Sequence, residues 1–274
     1  DLHTAYRRQR QMCIRDSMPT AAKFDQNYNS QYSYIAKVGY PMGMMYGFIY
    51  EGTYKYEDFD KVGDTYTLKR NVPYFSSESN TQPGMPKYAD LNGDGIIDDN
   101  DRTMIGNGMP KHTGGFTNNF EYKGFDLSIF FQWSYGNDVL NANRLFFENS
   151  NKTRDLNQYA SYADRWTTEN PESNIPRATD SGSNKVFSTR IIEDGSFLRL
   201  KTVSLGYTLP KQLTKKWKID NARVFVAGQN LWTCTGYSGY DPEVSIREGA
   251  LTPGLDFSAY PRAYSISFGV NLGF

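Results

Sequence analysis

The sequence predicts an all-β fold of long antiparallel strands, and three observations predict it. First, the chain ends on RAYSISFGVNLGF, where Tyr264, Ile266, Phe268, Val270, Leu272 and Phe274 alternate with small or polar residues. Alternation at period two gives a strand two chemically opposite faces. Second, such runs are long. Eleven residues span about 36 Å, or about 25 Å when tilted by 45°, the height of a lipid-spanning apolar band. Third, short and long connections alternate along the chain, as in barrels with short turns on one side of the membrane and long loops on the other.

Taken in order, the strands are expected near 43–55, 112–122, 125–137, 197–209, 222–232 and 262–274. In the first, Met44, Tyr46, Phe48, Tyr50 and Tyr54 line up. The second and third carry Phe116, Phe120 and Tyr122, then Phe125, Leu127, Ile129, Phe131, Trp133 and Tyr135, joined by Lys123-Gly124 as a tight hairpin. The fourth sets Val203, Leu205, Tyr207 and Leu209 against Ser204, Gly206 and Thr208. The fifth, ARVFVAGQNLW, is strand-like in composition but less cleanly two-faced. The basic linker PKQLTKKWKIDN, residues 210–221, is short; the gaps 56–111, 138–196 and 233–261 are long. One loop helix is expected from Leu156, Tyr159, Ala163 and Trp166, ending at Asn170-Pro171.

Composition agrees. The chain holds 21 Tyr and 17 Phe, 15% aromatic, in a hydrophobic total of only 38%, which suits strands and interfaces better than a helical core. Thirty basic and thirty acidic residues cancel, so no field favours nucleic acid. No apolar run reaches the length of a membrane helix, which leaves barrel strands untouched as an option. Cys13 and Cys234 make no disulfide framework, and His3 and His112 make no histidine-rich metal centre. Residues 1–17, rich in Arg and unlike the rest in style, read as a non-native segment; the folding part is 18–274. A competing reading is a secreted β-sandwich binding or adhesion module with a calcium loop. It accounts for the alternation but not for the strand length or the one-sided parity.

The strongest site motif is DLNGDGIIDDND, residues 90–101. Asp90, Asn92, Asp94, Asp98 and Asp101 stand at loop positions one, three, five, nine and twelve. Ile96 offers its carbonyl at seven, and Gly95 permits the turn at six. That is the spacing by which a short loop aims six to eight oxygens at Ca²⁺. Position twelve is Asp rather than Glu, and no flanking helix pair is evident, so a bare structural calcium loop is expected. Trp166, Tyr237 and Tyr240 are candidate substrate contacts, because loop aromatics stack on sugar rings or peptides. Motifs for nucleophilic, phosphate-binding or zinc chemistry are missing from the sequence, and the expectation is that the protein is not an enzyme.

Several runs together resemble one family. They are VGYPMGMMYGFIYEG, YADLNGDGIIDDND, GGFTNNFEYKGFDLSIFFQWSYGNDVLN, RWTTENPESNIPRA, IEDGSFLRLKTVSLGYTLP, ARVFVAGQNLWTCTGYSGYDPE and the terminal SISFGVNLGF. In this order they are similar to the C-terminal part of SusC/RagA-type TonB-dependent transporters of the Bacteroidetes outer membrane. The resemblance implies an outer-membrane β-barrel of about 22 strands, plugged by an N-terminal domain and powered by the TonB–ExbB–ExbD complex. It implies a SusD-like lipoprotein partner and import of glycans, peptides or other nutrients. It matches the acidic loop 90–101 to the family's own, and Phe274 to the terminal aromatic read by the barrel-assembly machinery. Six strands cannot close so wide a barrel, and open edges in lipid leave backbone groups unpaired at several kcal/mol each. The chain is therefore expected to be a fragment of a longer gene product, its apolar faces touching outer-membrane lipid.

Overall fold

The computed structural model describes residues 20–23, 32–37, 39–149, 157–179, 186–246 and 251–274. Residues 1–17, with His3 and Cys13, lie outside them, as does Leu156 of the expected helix. The chain divides into two compact units.

The second unit, residues 110–138, 194–243 and 259–274, is built on one five-stranded antiparallel sheet. Its strands are β1 (His112–Tyr122), β2 (Phe125–Tyr135), β3 (Phe197–Thr208), β4 (Asn221–Thr235) and β5 (Ser265–Gly273), neighbours in space in the order of the chain. Four of them run 11 residues or more, about twice the usual strand of a soluble domain. The β1–β2 connection is Lys123-Gly124 with φ of 46° and 87°, positive at both central positions as a primed hairpin turn requires. A short α1 (Lys211–Thr214) and a 3₁₀ turn Lys215–Trp217 fill the β3–β4 connection. Asn221 pairs with Gly273, so the chain's last residues lie at this same short-turn end. The β2–β3 and β4–β5 connections, both long, leave from the other end.

Register joins the separate alternations into two continuous faces. On one, Tyr122, Phe125, Tyr207, Val224 and Val270 follow one another across the five strands; Phe120, Leu127, Leu205, Val226 and Phe268 form the next row. On the other lie Ser128, Ser204, Ala227 and Ser267. Lys201 bulges out of β3, opposite the irregular Asn230-Leu231 of β4, where Asn230 has φ of 52°. This local slip is why the alternation of ARVFVAGQNLW looked imperfect.

The apolar face is not a core. Phe116, Phe120, Phe125, Leu205, Ile266, Phe268, Val270 and Leu272 are all exposed, and among the described residues of this unit only Phe197, Ala222 and Tyr237 join the buried apolar residues. An apolar face of this extent is too large for a water-facing monomer surface. Both edges of the sheet, β1 and β5, lack a further strand among the described residues.

The first unit, residues 1–109, 139–193 and 244–258, packs conventionally. Tyr34, Met45, Leu140, Ala142, Leu145, Phe146, Phe187, Ile191 and Leu255 make its largest core. Two smaller clusters centre on Phe48, Tyr88 and Ile97, and on Tyr54, Phe59 and Leu68. Its strands are short. The expected strand 43–55 is corrected here: it breaks into Met44–Gly47 and Tyr50–Thr53, which belong to different sheets. The break falls where the Phe48 amide donates to the Phe187 carbonyl and the Phe48 ring enters a core. Gly52, φ 108°, adds a bulge. The inward residue of the first piece is Met45, not Met44 or Tyr46. The long segment 56–111 consequently precedes the five-stranded sheet rather than joining two of its strands. The expected loop helix is likewise a five-residue 3₁₀ turn, Ala160–Asp164, which buries Tyr162 and lacks a side-chain cap.

Candidate functional site

Three features in the two units hold the polar side chains with the strongest claim to function. The first is the small, polar face of the five-stranded sheet. Asp126 of β2 and Arg223 of β4 reach each other across β3 on this face. Arg223 Nε donates to Asp126 Oδ1 at 2.9 Å, and a second guanidinium N–H bonds the other carboxylate oxygen. The pair passes directly over Gly206, where a Cβ would strike both partners. A glycine is therefore what lets two non-adjacent strands be bridged at one level of the sheet. Phe225 covers Gly269 in the same way.

The second feature lies at the long-connection end of the same face. Arg199 of β3 is almost fully buried, and its guanidinium donates to Asp241 at 2.5 Å and to Glu243 at 3.3 Å. Arg262 closes on Glu243 at 2.7 Å, and Lys201 lies 3.7 Å from the same carboxylate. Burial alone would raise the Asp241 carboxyl. The hydrogen bonds from Arg199 and the Glu243 amide, with the charges of Arg199 and Arg262, outweigh it and hold the group below its ordinary range. The cluster fastens the stretch after β4 back onto β3.

The third feature is the acidic loop of the first unit. Gly95 has φ of 83°, the left-handed turn expected at position six. The Asp90 carboxylate accepts the amides of Gly93 at 2.7 Å and Gly95 at 2.8 Å, and these bonds, that of Gly95 foremost, hold its pKa below the ordinary value. Asn92 and Asp94 each accept an amide two residues on. Asp101 turns inward, fully buried, and accepts the amides of Leu91, Asn92 and Asp98. The donor chemistry is all oxygen, which a hard divalent ion requires. As folded, no three acidic or histidine side chains among the described residues gather on one point. The Ile96 side chain is exposed; its carbonyl is the atom that position seven contributes.

The candidate aromatics fare differently. Trp166, of the first unit, is buried against Tyr56 at 5.6 Å, with Arg177 over its ring and Gly84 against it. Tyr237, of the second, is also buried, with Gly239 packed on its ring. Tyr240 stands 82% exposed, open to a ligand. Phe274 is 86% exposed beyond the end of β5. His112 stacks on Tyr135 and accepts a hydrogen bond from Trp133 Nε1, a packing role at the strand end.

Sequence reasoning missed both charged clusters of the sheet. Asp126 in FDLSIFF and Arg223 in ARVFV are charges out of phase with the apolar alternates of their strands, a signal the sequence does offer. Arg199 in FLRLK shares the odd phase of Val203, Leu205 and Tyr207, and only the bulge at Lys201 turns it to the polar face.

No family model matches the chain. Among characterised proteins it is 34% identical over 247 residues to TonB-dependent receptor P3 of Formosa agariphila, covering 88% of this chain and 23% of that receptor. It is 28% identical over 198 residues to the TonB-dependent receptor SusC of Bacteroides thetaiotaomicron, covering 72% of this chain and 18% of that one. Among solved structures, the RagAB peptide transporter superposes with a TM-score of 0.65 at 26% identity, over 88% of this chain and 24% of the matched one. The chain thus spans about a quarter of the length of the proteins it matches. These relatives are receptors and transporters, not enzymes.

Proposed function

Since the chain is a segment of a SusC/RagA-type TonB-dependent receptor of the outer membrane, we propose that its five-stranded sheet is a stretch of transporter wall, apolar face to lipid and polar face to the lumen. The observation that carries this reading is the exposed, register-continuous apolar face of β1–β5, backed by a face of serines, glycines and bridged charges. The whole receptor would import a glycan or peptide, driven by the TonB–ExbB–ExbD complex and assisted by a SusD-like lipoprotein. Cargo passes without covalent chemistry. Tyr240, exposed in the connection after β4, would supply a cargo-facing aromatic, while the buried Trp166 and Tyr237 would each hold the packing of its own connection. Phe274 would be the aromatic that the barrel-assembly machinery reads. Uptake of labelled oligosaccharide and oligopeptide pools by cells with and without the complete gene tests this. One pool is expected to lose uptake to background on gene deletion and on TonB loss; unchanged uptake of both would overturn the reading.

The loop 90–101 is proposed to take up a structural Ca²⁺, using side-chain oxygens of Asp90, Asn92, Asp94, Asp98 and Asp101 and the Ile96 carbonyl. Metal would draw exposed Asp94 and Asp98 in to join Asp90 and offset their repulsion. Calorimetry on the complete receptor should give a dissociation constant of about 10⁻⁴–10⁻³ M. Asp94→Ala should weaken it about tenfold. The depressed Asp90 carboxyl fixes the pH sign: its contribution is complete above the unfolded aspartate value of about 3.9 and is lost as pH falls through the lower folded value. Absence of calcium heat at millimolar metal would defeat the assignment.

A further inference from the structure

Among the described residues, the β3–β4 connection is a strongly charged patch that the wall reading leaves unused. Within eight residues it carries Lys211, Lys215, Lys216 and Lys218, every one exposed. The Gly124 carbonyl accepts the Thr208 amide, which brings the neighbouring hairpin and its exposed Lys123 to the foot of the same connection. Asp220 is the connection's single acid. Among the described residues, none of these five lysines has a carboxylate within salt-bridge distance. Packing does not absorb them either, apart from Lys123, whose ammonium lies 5.1 Å from the Tyr122 ring. Lys211 stands in α1, Lys215 and Lys216 in the 3₁₀ turn that continues it, and Lys218, with φ of 56°, just past its end. Leu213 sits among them, 49% exposed.

What adjoins this patch decides its partner. The connection leaves and rejoins the sheet where the apolar face ends in rings, at Tyr122, Phe125 and Tyr207. Aromatic side chains at the margin of an apolar band mark the headgroup level of a bilayer. A cluster of four to eight lysines beside such a margin attracts anionic lipid.

We propose that Lys123, Lys211, Lys215, Lys216 and Lys218 form a binding surface for the phosphate headgroups of anionic phospholipid in the leaflet facing the short turns. The inference rests on the wall reading, because the patch has a headgroup to meet only if the adjoining apolar face lies in lipid. Leu213 would enter the acyl margin beside the lysines, and the ammonium groups would neutralise the phosphates. The surface would set the depth of this stretch of wall and bias its annulus toward acidic lipid. Lysine, a compact charge on a flexible stem, suits a mobile lipid phosphate better than a fixed bidentate pair.

The test uses the complete receptor in nanodiscs of phosphatidylcholine, with or without about 30% phosphatidylglycerol. Lipid retained by the protein is measured by native mass spectrometry, and lysine acetylation rates are measured residue by residue. The wild type is expected to retain phosphatidylglycerol about fivefold above its bulk share, with acetylation of these lysines slowed. In the K211Q/K215Q/K216Q/K218Q variant, enrichment should fall to near the bulk ratio, while heat-modifiable gel mobility stays that of the wild type. Equal enrichment in an inserted wild type and an inserted variant would overturn this inference alone. Protection that needs added periplasmic protein and ignores phosphatidylglycerol would overturn it in favour of an acidic protein partner. A wild type that fails to insert would sink the wall reading and this surface with it.

Discussion

Replacing Phe268 by arginine is expected to destabilise the folded receptor by about 1–2 kcal/mol, the cost of a cation between the headgroup margin and the bilayer midplane. Phe268 is 82% exposed and lies in the row Phe120, Leu127, Leu205, Val226 of the apolar face. In water such a side chain has nothing to lose, and the charge would be harmless or mildly solubilising. In lipid the guanidinium must snorkel or drag water with it. The neighbouring Ser267→Arg is the control: same strand, same exposure class, opposite face. Yield of heat-modifiable barrel in outer-membrane fractions should fall several-fold for Phe268→Arg and stay near wild type for Ser267→Arg. Equal yields for both would mean that the apolar face does not meet lipid.

The second large effect belongs to Arg199. Arg199→Met should cost about 3–5 kcal/mol, because it leaves the buried Asp241 carboxylate without the guanidinium that holds it. A matched Arg199→Met/Asp241→Leu variant should recover much of the loss, since replacing both members of a buried pair by apolar groups is often neutral. Denaturant unfolding of the complete receptor measures the cost. Limited proteolysis locates it: cleavage should rise in residues 236–264 for the single variant and return toward wild type in the double. Cleavage of that connection at wild-type rates in Arg199→Met would show that the cluster does not fasten it.

The contrast between these two sites explains how much was legible in advance. Faces of long strands are written in period two, and among the described residues the exposed apolar face of this sheet packs against no other element that would override the pattern. Hence β1, β2, β3 and β5 were placed within about four residues, and the hairpin at Lys123-Gly124 to the residue. The segment 43–55 carries the same alternation yet folds otherwise. Its backbone bonds are taken by remote partners, the Phe48 amide by Phe187 and the Ala89 amide returning to Ile49. Tertiary packing there outweighs local pattern. Trp166 and Tyr237 looked like ligand platforms because they lie in connections; close contacts from Gly84 and Gly239, far or near in sequence, give them packing roles that spacing does not reveal. The Arg199 cluster was hidden for a different reason. Its members lie up to 63 positions apart, from Arg199 to Arg262, and only the return of the connection onto β3 brings them together. The acidic loop was legible in its backbone, down to the left-handed Gly95, while the inward turn of Asp101 depended on three amides that spacing alone does not rank.

The most direct test of the lipid-facing wall is quenching of a single introduced tryptophan by brominated lipid in the reconstituted receptor. Phe268→Trp and Ser267→Trp, each in a background with the native tryptophans replaced by phenylalanine, report the two faces of β5 one residue apart. Strong quenching at 268 and little at 267, where aqueous iodide quenches instead, is the expected result. Equal quenching by brominated lipid at both positions, or none at either, would contradict it.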